Sequence, residues 1–174
     1  MSDARRFWQV ELGCGRKKVD GYFGVDRVKM PGVDLVWDLE RRPWPMADCD
    51  TRRLIAHQTL EHIGDLIGFM NECWRICIDG AWVEFIVPYH EAPGAWGDPT
   101  HVRAFTEQTF RYFEPGFVRA FSDYGIRGYW HIVDQAWRPS GNLWVLMRPI
   151  KSRASLMAHA REAQWRKRKE WALA

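Results

Sequence analysis

The sequence predicts an α/β fold: a seven-stranded, mostly parallel sheet closed by a C-terminal antiparallel hairpin, with helices on both faces. Three observations lead there. Five short apolar runs bounded by turn residues come first, without strict polar alternation, as in parallel strands buried on both sides. Two further apolar runs near the C-terminus are separated by R-P-S-G, a turn sequence that folds the chain back as an antiparallel pair. Between the fourth and fifth runs lies a strongly periodic helical segment.

In chain order the strands are expected at Phe7 to Leu12, Tyr22 to Asp26, Val33 to Trp37, Arg53 to His57, Trp82 to Val87, Tyr129 to Trp137 and Asn142 to Arg148. Only about ten residues separate Gly13 from the second strand, near the minimum for a parallel crossover, so at most a turn or two of helix fits there. The periodic helix spans Asp65 to Ile78, where Leu66, Phe69, Met70, Cys73, Trp74 and Cys77 recur at three- and four-residue steps and Asp79-Gly80 supplies the stop. Thr106 is placed to cap another helix, and a further one runs from Pro115 to Tyr124 before Gly125. Ser155 to Leu173 reads as a terminal helix. Residues 1–150 are thus expected to form one domain and residues 151–174 a basic helical tail.

Composition narrows the class. Hydrophobic residues make up 47% and charged residues 27% of 174, ordinary for a globular protein. No apolar run approaches the roughly 18 residues of a membrane span, and the N-terminus lacks the apolar core of a signal peptide. A soluble, cytoplasmic protein with no membrane partner is expected. Cys14, Cys49, Cys73 and Cys77 are read as reduced thiols. Cys73 and Cys77 share a helix face, yet no C-x-x-C pair accompanies them, so they are buried apolar residues rather than zinc ligands. Seven basic residues against two acids give the segment from Lys151 a charge of +5, whereas the rest of the chain carries −2. A basic groove across the main domain is therefore not expected.

The most informative stretch is E-L-G-C-G-R-K-K-V-D-G-Y-F-G-V-D, Glu11 to Asp26. A glycine pair at a strand's carboxyl end admits a ligand close to the backbone, and an acid ending the next strand accepts hydrogen bonds from a ribose. Lys17 and Lys18 stand where a helix-opening third glycine would fall, so no G-x-G-x-x-G is present. A nucleoside without a pyrophosphate fits this pattern better than a dinucleotide.

From Val10 to Phe113 the chain resembles the class I S-adenosylmethionine-dependent methyltransferases, which have a Rossmann-like sheet, and in particular their compact members with a short first crossover. The resemblance rests on E-L-G-C-G at Glu11 to Gly15, Asp26, V-W-D-L at Val36 to Leu39, H-Q-T-L-E-H at His57 to His62, and R-I-C-I-D-G-A-W-V-E-F-I-V-P at Arg75 to Pro88. It implies S-adenosyl-L-methionine as cofactor. Glu11 would support the turn or meet the cofactor's amino group, and Gly13, Cys14 and Gly15 would present backbone to its methionine and ribose portions. Asp26 would hold the ribose hydroxyls, Asp38 the adenine amine, and Leu39 would pack beside the ring. Asp26 as a strand-end cap and Asp38 as a turn residue are the structural alternatives.

Methyl transfer needs an acceptor aligned with the methyl carbon, so positioning alone supplies much of the rate. A histidine is the natural base where the acceptor must lose a proton. His57 leaves the fourth strand and would border the methyl-transfer site, or else hydrogen-bond a neighbouring loop. Glu61 and His62 precede a helix and are read as capping or orienting it. The loop V-P-Y-H-E-A-P-G-A-W-G-D-P-T-H-V-R-A-F-T brings His90, Glu91, Asp98 and His101 over the same sheet edge and is the acceptor-site candidate. No H-E-x-x-H spacing links the histidines, so no metal is expected. The expected acceptor is a small molecule. A nucleic acid has the basic tail in its favour and the acidic body against it, and nothing selects an oligomeric state. Two other readings stand beside the enzyme: a noncatalytic binding or scaffold protein, suggested by Lys17 and the short crossover, and an NAD-dependent oxidoreductase, disfavoured by the missing glycine.

Overall fold

A computed structural model of the chain describes residues 8–120 and 122–173. The expected first residue of strand one, Phe7, lies outside them. Seven strands form one sheet: β1 (Gln9–Leu12), β2 (Phe23–Asp26), β3 (Leu35–Val36), β4 (Thr51–His57), β5 (Cys77–Pro88), β6 (Tyr129–Arg138) and β7 (Asn142–Ile150), in the order β3-β2-β1-β4-β5-β7-β6. The first five run parallel, and β7 lies antiparallel between β5 and β6. The order reverses between β1 and β4, and at such a point an open α/β sheet leaves a crevice outside the strands' carboxyl ends.

Five helices accompany the sheet: α1 (Leu66–Ile76), α2 (Pro93–Gly97), α3 (Glu107–Arg111), α4 (Pro115–Ala120) and α5 (Arg153–Leu173). Asp65 caps α1 by accepting from the Gly68 N–H at 2.8 Å. Leu66, Phe69, Met70, Cys73 and Ile76 of α1 enter a core shared with Val10, Leu12, Leu54, Val83, Phe85, Val145 and Met147 of the sheet. The expected helix through Ile78 ends two residues sooner, because Cys77 turns extended and pairs with Thr51 of β4. Strand three is also shorter than expected. Asp34 leaves the ladder to take the Gly24 N–H on its carboxylate at 2.7 Å and Lys18 Nζ at 2.6 Å.

The connection from β3 to β4 has no regular helix, yet it is tied down. Trp44 is buried edge-on against Phe69, its indole donates to the Leu39 carbonyl, and its backbone N–H donates to Glu72 at 2.7 Å. Glu72 also receives Arg75, which reaches the carbonyls of Trp44 and Met46. Although burial opposes it, the Arg75 guanidinium and the Trp44 N–H hold the Glu72 carboxyl below its ordinary range.

The sheet's second face differs from the expectation of strands buried on both sides. Along β5 the residues alternate between the core and a half-open face carrying Trp82, Glu84 and Ile86. On this face α5 sits over the β6–β7 end, where His159 meets His131 at 2.8 Å. The connections from β1 to β4 contribute no helix among the described residues, so Trp82 remains 42% exposed with Arg148 stacked on its ring.

Candidate functional site

Strand β1 ends at the crevice in a turn built on Gly13 and Gly15, both left-handed at φ +67° and +55°. The Gly13 and Cys14 N–H groups donate to the Val25 carbonyl, which pins the turn to β2. A Cβ on Gly13 would fall 2.3 Å from Thr59 Oγ1, so only glycine fits, whereas a Cβ on Gly15 would meet nothing within 4 Å. Above Gly15 there is open space.

Asp26 closes the turn from the side. Its Oδ2 accepts from the Gly15 N–H and its Oδ1 from the Val28 N–H, each at 2.9 Å. Two N–H partners leave the carboxylate with acceptor capacity toward the cleft. Glu11 is buried beneath the turn and takes the Val19 N–H at 2.6 Å. It thereby supports the turn, the first of its two expected roles, and it is not among the residues that line the cleft. Cys14 points the same way, its sulfur tucked toward Gly24. Burial, with the charges of Asp26 and Glu11, pushes its thiol up to about 11, so Cys14 contributes backbone and not a reactive side chain.

Gly13, Gly15, Asp26, Asp38, Leu39 and Thr59 lie around one cleft of roughly 320 Å³, in the range of small-molecule sites. Leu39 is buried and apolar, and Asp38 uses one oxygen to accept the Glu40 N–H at 3.0 Å. A carboxylate beside an apolar wall at one end and open glycine backbone at the other would suit a ring with an exocyclic amine linked to a ribose.

A second, wider cavity of about 880 Å³ adjoins the first and shares Gln58 and His62 with it. Glu61, Asp98, His101 and Asn142 contribute to its wall. Its far side is the turn between β6 and β7 and the loop after β5, so the hairpin and the loop together frame it. The loop after β5 brings His101 to that wall, and neither His57 nor His90 lines it. His57 lies on the sheet's half-open face, bound to Glu84 at 2.7 Å, and Glu84 also accepts from the Trp144 indole. Neither cavity includes it, because alternation along β4 places it on that face, and the chain then leaves the strand at Gln58, left-handed at φ +50°, to bring Gln58 and Thr59 to the cleft. His90 packs against Tyr89 with the two rings tilted at 59°, and its carbonyl accepts from the Trp96 indole.

Glu61 and His62, expected to cap or orient the helix that follows, line the second cavity. Asp65 performs the capping, while Glu61 is 1% exposed and neither of its carboxylate oxygens has a hydrogen-bond partner of good geometry among the described residues. Burial pushes the Glu61 carboxyl up to about 7, against a smaller pull from its own backbone and from His101. The available signal was the H-Q-T-L-E-H run at the carboxyl end of β4, where open sheets bind ligands.

No family model and no curated protein matches this sequence. Solved structures do match in shape. A S-adenosylmethionine-dependent methyltransferase of Thermotoga maritima aligns over 82% of each chain with a TM-score of 0.59 at 14% identity. The chain has the fold of the class I S-adenosylmethionine-dependent methyltransferases. A chain from the complex of the Haloferax volcanii Trm112 methyltransferase activator with a methyltransferase aligns over 82% of each chain, with a TM-score of 0.57 at 16% identity. The Burkholderia thailandensis 1,6-didemethyltoxoflavin-N1-methyltransferase, solved with 1,6-didemethyltoxoflavin and S-adenosylhomocysteine, aligns over 82% of this chain and 70% of its own, with a TM-score of 0.54 at 14% identity. Methyltransferases that differ this much share the sheet and leave the acceptor open.

Proposed function

We propose that this chain transfers a methyl group from S-adenosylmethionine to a small molecule held in the second cavity. The observation that carries the reading is the open cleft over Gly13 and Gly15, bounded by Asp26 and by Asp38 with Leu39, at the point where the strand order reverses. A scaffold protein on this fold would be expected to fill that space with a side chain, and a Cβ on Gly15 meets none. A dinucleotide enzyme would be expected to open a helix after the glycine turn, and β1 runs to β2 without one.

When bound, the cofactor supplies an electrophilic methyl on a sulfonium. The remaining work falls to the chain. Backbone at Gly13 and Gly15 would lie against the cofactor's methionine and ribose portions, Asp26 would accept from the ribose hydroxyls, and Asp38 and Leu39 would receive the adenine. The two cavities share Gln58 and His62, so an acceptor in the second would sit beside the cofactor in the first, the condition for positional catalysis. Glu61, His62 and His101 form the wall that an acceptor in the second cavity would meet. The similarity in fold to a methyltransferase solved with bound 1,6-didemethyltoxoflavin supports a small molecule over a polymer. Among the described residues no helix is long and apolar enough to cross a membrane.

Calorimetric titration of the full chain with S-adenosylmethionine, S-adenosylhomocysteine and NADH tests the reading. Saturable one-to-one binding of the first two and none of NADH is expected. Absence of binding of either sulfur nucleoside at millimolar concentration would remove it.

A further inference from the structure

Three groups that chemistry associates with transition metals converge on the second cavity: the Glu61 carboxylate and the imidazoles of His62 and His101, whose ligand atoms all lie within 4.8 Å of one another. Two details set this cluster apart from a chance meeting of polar residues. The first is Glu61 itself, 1% exposed, part of the cavity wall, and without a hydrogen-bond partner of good geometry for either oxygen among the described residues. A buried carboxylate in that state costs free energy unless something cationic completes it.

The second detail is how the two imidazoles are held. His101 Nδ1 faces the Ala95 carbonyl at 3.2 Å, and a carbonyl only accepts, so Nδ1 carries the proton and Nε2 keeps its lone pair. His62 Nδ1 faces the Thr100 carbonyl at 3.3 Å and the Thr100 hydroxyl at 3.0 Å. That hydroxyl gives its hydrogen to Asp98 at 2.7 Å, so His62 Nδ1 is also the donor and its Nε2 is also free. Metal-binding histidines are oriented in this way, with the other ring N–H on a backbone carbonyl that fixes the tautomer. Asp98, which bonds Thr100 and approaches His101 Nε2 at 3.8 Å, adds a second negative charge at the rim.

We infer that Glu61, His62 and His101 form a binding site for one divalent transition-metal ion of the zinc class, open toward the second cavity. Two imidazoles and one carboxylate select against magnesium and calcium, which prefer all-oxygen sites. Tetrahedral zinc bonds of about 2 Å place ligand atoms roughly 3.3 Å apart, so ligand atoms now up to 4.8 Å apart would close by as much as about 1.5 Å, through rotation of the side chains and movement of the loop that carries His101. With three protein ligands the ion keeps an open coordination position, and that position faces the space assigned to the acceptor. A hydroxyl or carboxylate oxygen of the acceptor would bind there, which narrows the acceptor to an oxygen-bearing small molecule. This last step, unlike the site, rests on the methyl-transfer reading.

The test uses the full chain stripped with EDTA and titrated with Zn²⁺ by calorimetry and with Co²⁺ by visible absorption. One ion per chain is expected, with the d–d band of a low-coordinate histidine site. Glu61→Gln and His101→Ala should each weaken binding by about a hundredfold or more. His159→Ala, which alters the separate cluster around His131, and Cys49→Ser, which removes the exposed thiol, should leave that affinity unchanged. The melting temperature and S-adenosylhomocysteine affinity of each variant show that it is folded. No Zn²⁺ binding by the intact chain at roughly 100 µM, or binding that survives both Glu61→Gln and His101→Ala, would overturn the proposal. Because the nucleoside and the metal are titrated separately, failure of the metal site and failure of the methyl-transfer reading are read on different ligands.

Discussion

Replacing Gly13 with alanine tests whether the turn over β1 is held by close contact with the segment after β4. The residue sits at φ +67°, where a Cβ costs about 1 to 2 kcal/mol. That Cβ would lie 2.3 Å from Thr59 Oγ1 and 2.6 Å from Thr59 Cγ2, far inside contact distance. Thr59 has little room to yield, since it is buried and its hydroxyl lies 3.1 Å from the Leu12 carbonyl and 3.0 Å from the His57 carbonyl. Overpacking of this kind costs roughly 1 to 3 kcal/mol. Together the two effects predict a loss of about 2 to 5 kcal/mol, and for a domain of this size a melting temperature lower by roughly 5 to 15 °C. Denaturant unfolding of Gly13→Ala, Thr59→Ala and the double variant gives the decisive comparison. Thr59→Ala removes both of the nearest atoms, so the double variant should be more stable than the sum of the singles by at least about 1 kcal/mol. A single variant within about 0.5 kcal/mol of the parent, or an additive cycle, would refute the reasoning.

The other predictions follow from separate features. Gly15→Ala meets open space, so it should cost only the left-handed backbone term of about 1 to 2 kcal/mol while projecting a methyl toward the cleft and weakening S-adenosylhomocysteine binding more than stability, as calorimetry and thermal melts will show. Glu11→Ala leaves the Val19 N–H without its acceptor and should destabilise by about 1 to 3 kcal/mol in urea unfolding. Glu72 has a depressed carboxyl pKa in the folded chain, so its contribution is complete above its unfolded value and is lost as pH falls through the folded one. Glu72→Gln should accordingly lose about 1.5 to 3 kcal/mol at neutral pH and converge on the parent in acid, measured by urea unfolding across pH.

Much of the fold was legible because it was written in patterns that survive without tertiary information. The apolar runs, the R-P-S-G turn and the α1 periodicity are local, and all seven expected strands are present. The half-open face was not legible, since Trp82 and Ile86 are apolar residues on a surface that a run of hydrophobic letters presents as interior. The glycine turn, Asp26, Asp38 and Leu39 were read to one cleft because each sits at a strand end or just beyond. The face on which His57 lies was not legible, because one residue of register moves a side chain to the opposite face, where it meets Glu84. The place of Glu61 and His62 was not legible for a different reason: their partner, His101, lies about forty residues away, and only the folded loop brings it to them.

Under the proposed function, Asp26 binds the ribose of a sulfur nucleoside over the Gly13–Gly15 turn, and its removal is the sharpest check. S-adenosylhomocysteine is titrated calorimetrically into the parent chain and into Asp26→Ala, with thermal melts confirming that the variant is folded. Loss of charge-assisted hydrogen bonds worth about 1.5 to 3 kcal/mol predicts an affinity lower by roughly 10- to 100-fold in the variant. Equal affinity in the two folded proteins, or no binding by the parent at millimolar concentration, would contradict the account.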